Sequence, residues 1–143
     1  NLSNYNADLK VEYDVLWKDV LTVFDKDTYL DADNRRNLEN YKIDTAKRKL
    51  PYWFNFKNNL VFETEIQIPA GKTVSTLPEK LFIKQPGYSF NASYNNVGGK
   101  VLYKNEIILN QSELKPENFS QWNKDIEQLT NFYNQQIVLT QKN

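Results

Sequence analysis

The chain has 143 residues, of which 40% are hydrophobic and 14% aromatic, so it carries enough apolar surface for one folded domain and is not expected to be disordered. Its 18 Lys and Arg residues balance 18 Asp and Glu residues, so the basic excess typical of nucleic-acid binding is missing. Cysteine and histidine are both absent, which excludes a Ser-His-Asp triad, a Cys-His pair and the usual Cys/His-ligated zinc, haem and iron–sulfur sites.

The first 45 residues have the least regular pattern. Apolar residues alternate from Leu9 to Trp17, which predicts a half-buried strand, and a second apolar run spans Val20 to Phe24. Residues 12–24 can also be drawn as a helix, and both alternatives stay open. Asp33-Asn34 is typical of a helix cap and predicts a short helix over 35–41. Further strands are predicted at 41–45 and 50–54.

The middle of the chain alternates clearly. Phe62, Thr64, Ile66 and Ile68 share one face, and the strand they predict ends at Pro69. Short strands are expected at 73–77 and 80–84. Two alternating runs, 88–94 and 101–109, flank a Gly-Gly pair, which supplies the positive φ of a tight turn and predicts a β-hairpin.

Near the end, large apolar residues recur at three- and four-residue steps and predict one amphipathic helix over about 116–134. A closing strand is predicted at 136–140. The fold class expected is therefore mainly β (α+β): an antiparallel sheet or sandwich with one C-terminal amphipathic helix packed on it. We expect a single domain over 1–143, in which 46–143 form the β-domain with its helix and 1–45 form a docking segment. Because the chain also lacks methionine, we expect a processed or excised piece of a longer protein.

The charges are unevenly distributed along the chain. Residues 8–33 carry eight acids against three lysines, and residues 34–49 carry six bases against two acids. These segments are interpreted either as two solvated faces that partly pair with each other or as a docking patch for a neighbouring domain. The bases of the second segment include Arg35, Arg36 and Arg48.

Two groups of carboxylates are candidates for chemistry. Asp25, Asp27, Asp31 and Asp33 stand at odd positions, a spacing that can bind calcium, although Tyr29, Leu30 and Arg36 break the EF-hand pattern. An acidic solvated turn is the alternative interpretation. Glu63 and Glu65 share one strand face, where they fit either a solvated sheet surface or a carboxylate-dependent hydrolase. We expect no cofactor beyond the weak calcium signal.

Aromatic side chains could serve as sugar-stacking platforms or as core. The alternation in Tyr52-Trp53-Phe54 must turn at least one ring outward, and Trp53 is the best exposed candidate. Trp53, Tyr52, Arg35, Arg36 and Arg48 are therefore the candidate ligand or interface residues. The other candidate platforms are Trp17, Phe54, Tyr94, Tyr103 and Trp122, and Trp122 belongs to the apolar stripe of the helix.

A family resemblance covers about two thirds of the chain. Its motifs are Lys47-Arg48-Lys49-Leu50-Pro51, a strand ending Glu65-Ile66-Gln67-Ile68-Pro69-Ala70-Gly71-Lys72, then Val74-Ser75-Thr76-Leu77-Pro78, the glycine hairpin, Leu114, the Phe119/Trp122 helix and Ile137-Val138-Leu139. This order resembles the C-terminal β-domain of unknown function that follows a transglutaminase-like core in secreted proteins of Bacteroidetes.

The resemblance implies a non-catalytic accessory domain. The family's catalytic Cys, His and Asp belong to the preceding core, and no position here matches them. The implied partner is that upstream transglutaminase-like domain of the same chain, and the implied location is secreted, periplasmic or cell-envelope. A carbohydrate-binding β-sandwich module remains the alternative, with a glycan or another protein as its partner and neither nucleic acid nor a membrane span.

Overall fold

The computed structural model describes residues 21–31 and 33–142. The strands are β1 (Leu21–Phe24), β2 (Asp27–Leu30), β3 (Tyr52–Trp53), β4 (Asn58–Gln67), β5 (Lys72–Thr76), β6 (Leu81–Gln85), β7 (Tyr88–Val97), β8 (Lys100–Leu109), β9 (Glu113–Leu114) and β10 (Ile137–Gln141). A short 3₁₀ helix, Pro116–Asn118, leads into helix α1 (Phe119–Tyr133). The predicted mainly β fold with one late helix is confirmed.

The largest sheet has the strand order β4-β8-β7-β6, and all its pairs are antiparallel. β7 and β8 form the predicted hairpin, in which Val97 pairs with Lys100. Gly98 and Gly99 both have positive φ, 60° and 80°, as a two-residue hairpin turn of this twist requires. The alternation in β4 is also confirmed, since its even-numbered residues are half-buried and its odd-numbered residues exposed.

The inner face of this sheet forms the main core with α1. Phe90, Tyr103 and Ile107 from the sheet belong to the same buried cluster as Trp122 and Leu129 from the helix. The helix buries the predicted stripe, which also includes Phe119, Ile126, Phe132 and Tyr133. Because a helix stripe and a sheet face bury each other, neither element needs a further layer on this side.

A second sheet, with the order β1-β2-β10-β5, adjoins the other end of the same face. Its side chains Ile137 and Leu139 form a smaller core with Val101 of β8, and Tyr94 packs against both clusters. The closing strand β10 therefore lies between β2 and β5 and connects the two ends of the described chain.

Several predictions before residue 58 are wrong. Residues 35–41 form turns instead of a helix, because Arg36 and Leu38 adopt left-handed φ angles of 46° and 65°. No strand forms at 41–45, and the strand expected at 50–54 is reduced to β3. The acidic stretch interpreted as a turn is a turn only at Asp25 and Lys26, and from Asp27 it forms the strand β2. The predicted strand at 9–17 lies outside the described residues, and of the alternative helix only 21–24 are described, as β1.

Within the part of the chain that the structure describes, no helix has both the length and the hydropathy needed to span a membrane.

Candidate functional site

The short β3–β9 ribbon holds an exposed aromatic segment at the surface of the protein. Trp53 pairs with Glu113, and the Phe54 N–H donates to the Ser112 carbonyl over 2.8 Å, so the segment is held in extended form. Extended backbone alternates its side chains. Phe54 is therefore buried, with its ring centroid 5.3 Å from that of Trp122, whereas Trp53 is 63% exposed. The outward placement of Trp53 is the one that its sequence position predicts.

Aromatic side chains of this segment line a small, partly open cavity, which we call the aromatic cavity. Its volume is about 130 Å³. It is lined by Leu38, Tyr41, Tyr52, Trp53, Phe54, Asn55, Phe56, Asn58 and Leu109. Phe56 is 64% exposed and Leu50, just before the segment, is 76% exposed. Large apolar side chains grouped at the surface in this way are typical of binding sites.

A basic depression adjoins the aromatic cavity, and Tyr52 lines both. The depression is lined by Lys42, Ile43, Asp44, Lys47, Arg48 and Tyr52. The Arg48 guanidinium lies 4.9 Å from the Tyr52 ring centroid and donates to the Leu50 and Pro51 carbonyls at 3.2 and 2.8 Å. Its charge is therefore held in a fixed position beside the cavity. We call the cavity and the depression together the aromatic–basic surface.

The structure separates the five predicted interface residues into two groups. Tyr52, Trp53 and Arg48 belong to the aromatic–basic surface. Arg35 and Arg36 instead lie beside Asp33: Arg35 stacks over the Phe62 ring at 4.2 Å, and Arg36 pairs with Glu39 at 2.9 Å and donates to the Asn134 side chain.

Asp33 is the centre of a buried polar network. Its carboxylate accepts hydrogen bonds from the Tyr103 hydroxyl at 2.6 Å and from the Asn105 amide at 3.1 Å. It also accepts from the backbone N–H groups of Arg35 and Arg36, at 2.9 and 3.2 Å. The Asn105 amide further donates to the Tyr133 hydroxyl, so the loop after β2 is tied to both β8 and α1.

The titration of this network follows from its burial and its hydrogen bonds. Burial alone would raise the pKa of Asp33, but the four hydrogen bonds that its carboxylate accepts outweigh burial, and the pKa lies below the ordinary 3.8. Burial, together with the hydrogen bond to Asp33, raises the pKa of Tyr103. Burial also raises the pKa of Tyr133, to about 12. The network therefore holds one carboxylate charge among neutral phenols.

The other predicted carboxylates are widely distributed. Asp25 lies in the β1–β2 turn, Asp27 begins β2, and Asp31 accepts a hydrogen bond from Gln136 at 3.0 Å. Asp33 points inward to Tyr103 and Asn105, away from solvent. Among residues 21–31 and 33–142, no three His, Cys, Asp or Glu side chains are grouped as metal ligands would be.

Glu63 and Glu65 lie on the outer face of the largest sheet. Glu63 pairs with Lys104 at 2.9 Å and Glu65 with Lys100 at 2.6 Å. Each glutamate thus has its own lysine from the neighbouring strand β8, an arrangement typical of a solvated antiparallel face.

Most of the other aromatic candidates lie in the core. Trp122 and Tyr103 are each 1% exposed, Phe54 is buried, and Tyr94 is half-buried in a stack on Tyr103 with ring centroids 4.6 Å apart. Trp17 lies outside the described residues. Of the six candidates that the structure describes, Trp53 alone therefore presents its ring broadly to solvent.

Sequence reasoning missed both the Asp33 network and a second buried carboxylate. Asp125 is 2% exposed and accepts from the Tyr88 hydroxyl at 2.7 Å and from Gln85 and Gln121 at 3.0 and 2.8 Å. The signal was present in both cases. Asn105 stands at an inward position of an alternating strand, and Asp125 stands on the apolar stripe of the helix, so each needed a polar partner inside.

Comparison with known proteins gives a family and a fold relative. The structure resembles part of the crystal structure of a putative protease from Parabacteroides distasonis, with a TM-score of 0.59 and 15% sequence identity. The superposition covers 78% of this chain and 22% of that chain, so the likeness concerns the fold of one segment of a much longer protein. No curated protein matches the chain.

The sequence itself matches a family described as a domain of unknown function with a solved structure, DUF3858, over residues 26–139. The match begins just before β2 and ends within β10, so it includes all or most of every strand except β1, together with α1 and the aromatic–basic surface. Because most of the chain is matched, this protein belongs to the DUF3858 family.

Proposed function

We propose that this chain is a non-catalytic accessory domain of a larger secreted or cell-envelope protein with a transglutaminase-like, peptidase-like core. The domain orients or stabilises that core, and it docks through the aromatic–basic surface. The observation that carries the proposal is the fold likeness to a segment covering 22% of a longer chain described as a putative protease.

Two further observations support the accessory role. The 143 residues contain no thiol or imidazole, the groups that most often act as nucleophile and base in such cores. The ordered motifs from Lys47 to Leu139 resemble those that follow a transglutaminase-like core. Together they favour a catalytic centre supplied by another part of the protein.

Deletion from the parent protein tests the proposal. The parent is produced with and without residues 26–139, and its thermal stability and hydrolytic or acyl-transfer activity are measured on peptide substrates. We expect deletion to lower the stability or the turnover of the core, whereas the 143-residue chain alone has no turnover. An unaffected core, or turnover by the chain alone, would contradict the proposal.

Carbohydrate binding is the second candidate, and the exposure of Trp53 is the observation that favours it. An indole that is 63% exposed beside a cavity can stack on the apolar face of a sugar. A glycan array probed with the chain, the Trp53→Ala variant and a Phe82→Ala control tests this function. Phe82 is a suitable control because it is 70% exposed on a different face. Binding lost only in Trp53→Ala would favour this function, and no sugar affinity would dismiss it.

A further inference from the structure

We propose that the aromatic–basic surface recognises an acidic protein segment that inserts one apolar side chain into the aromatic cavity. The inference rests on the proposed docking function and adds the chemistry of the partner. Its starting point is the position of Tyr52, which lines both the cavity and the basic depression. A ligand that fills the cavity and extends past Tyr52 therefore reaches the depression that Arg48 lines.

The size of the cavity limits what enters it. Small-molecule sites usually measure about 300–1,000 Å³, whereas this cavity measures about 130 Å³. A cavity needs only about 10 to 15 Å³ of such space to hold one water molecule, so this cavity exceeds the space of a single water and has room for one side chain. Seven of the nine lining residues are aromatic or aliphatic, so an apolar side chain finds rings and aliphatic groups to contact there.

The charge around the cavity determines what flanks that side chain. Residues 42–57 carry five bases against one acid. The Lys47 side chain is 88% exposed, and Arg48 is held beside the cavity by the Tyr52 ring and two carbonyls. The competing intramolecular pairs, Lys42–Glu127 at 3.4 Å and Lys47–Asp44 at 3.5 Å, are solvent-exposed and easily exchanged. Charge complementarity therefore selects an acidic partner.

The concave shape of the aromatic cavity favours a protein as the partner over an anionic membrane. Insertion into a bilayer needs apolar side chains that protrude together from a convex surface. Here Trp53 and Phe56 are exposed but also line a cavity, and a lipid surface presents no protruding side chain to fill that cavity. A protein segment with one apolar anchor between carboxylates fits both the cavity and the charge.

A titration of the 143-residue chain with short acidic peptides tests the proposal. Each peptide carries one central Leu, Ile, Phe or Tyr. The indole N–H signal of Trp53 is followed by NMR, with the backbone amides of β6, which does not line the cavity, as the reference for general perturbation. We expect a saturable shift of Trp53 and of residues 41–57. Peptides with a central Ser, or with Lys in place of the acidic residues, should cause no such shift.

Variants separate the charge contribution from the cavity contribution. Lys47→Glu combined with Lys49→Glu should lower the affinity for the peptide about tenfold, because attractions become repulsions at a surface where each exposed pair has a modest effect. Trp53→Ala should lower this affinity by a similar factor. Lys84→Glu and Phe82→Ala, on the outer sheet face, should change it less than about twofold. Raising the ionic strength should weaken only the part of the peptide affinity that depends on charge.

Three outcomes would overturn the inference. They are the absence of a Trp53 shift with every acidic peptide, equal binding of acidic and basic peptides, and binding to phosphatidylserine vesicles in place of peptides. The deletion experiment on the parent protein reads out a different property. If deletion matters but acidic peptides do not bind, only the partner chemistry is wrong. If acidic peptides bind but deletion has no effect, the accessory role fails.

Discussion

At the scale of single residues, the most informative feature is the pair of buried carboxylates. Asp33 and Asp125 are 6% and 2% exposed, and each accepts a hydrogen bond from a tyrosine hydroxyl, Tyr103 or Tyr88. A buried carboxylate is costly unless its oxygens are satisfied, and here hydrogen bonds from side chains, with backbone N–H groups at Asp33, satisfy them. These contacts fix the loop after β2 and one turn of α1 to the large sheet.

Asp33 should make the protein sensitive to acid. Its pKa in the folded state lies below the ordinary 3.8, so the folded protein binds this proton less readily than the unfolded chain does. The stability it adds is therefore present above about pH 4 and is lost as the pH falls through the folded pKa. We expect Asp33→Asn to cost about 2 to 3 kcal/mol at neutral pH, because the new amide N–H faces backbone donors.

The measurement is urea unfolding of the wild type and Asp33→Asn at several pH values. The difference between their unfolding free energies should shrink as the pH falls below about 4, whereas Asp44→Asn, an exposed control, should differ little from the wild type at neutral pH. A difference that stays constant on acidification would contradict the role given to the Asp33 charge.

At the scale of elements, the parts that the sequence predicts best are those with long local patterns. The β7–β8 hairpin, β4 and α1 each repeat an apolar spacing over ten residues or more, so the local pattern alone predicts each element. The segment 33–57 lacks such a pattern. Its course depends on distant partners, as when Asn123 bonds both the N–H and the carbonyl of Ile43, and a sequence reading cannot supply such partners.

The hairpin turn gives the first prediction at this scale. Gly98 has a φ of 60°, and a side chain added there would meet no atom within 4 Å. Gly98→Ala should therefore cost about 1 to 2 kcal/mol through backbone strain alone. Thermal unfolding checks this value against Asn96→Ala, an exposed control on the neighbouring strand position. Equal stability of the two variants would show that the turn does not need glycine.

Helix α1 gives the second prediction at this scale. Leu129 is fully buried in the cluster that joins α1 to the large sheet. Leu129→Ala should lower the unfolding free energy by about 2 to 5 kcal/mol, since it removes buried methyl groups and leaves a cavity. Gln128→Ala, on the exposed side of the same turn, should change it by less than about 0.5 kcal/mol. A small effect at Leu129 would mean that the helix is not packed on the sheet as described.

At the scale of the whole molecule, one side of the sheet is closed by α1 and by the β1-β2-β10-β5 sheet, and the aromatic–basic surface lies at the end where the β3–β9 ribbon meets the helix. Trp53 and Arg48 of this surface were predictable from the sequence, as an outward aromatic and a base in a charged segment. The cavity was not, because its walls come from residues as distant in the chain as Leu38 and Leu109.

If the aromatic–basic surface docks on the rest of a larger protein, amide hydrogen exchange at this surface should report it. Exchange is compared between the 143-residue chain and the intact parent protein under the same conditions. We expect residues 41–57 to exchange more slowly in the parent, while the amides of β6 exchange alike in both. Equal exchange of residues 41–57 in the two proteins would show that this surface does not dock.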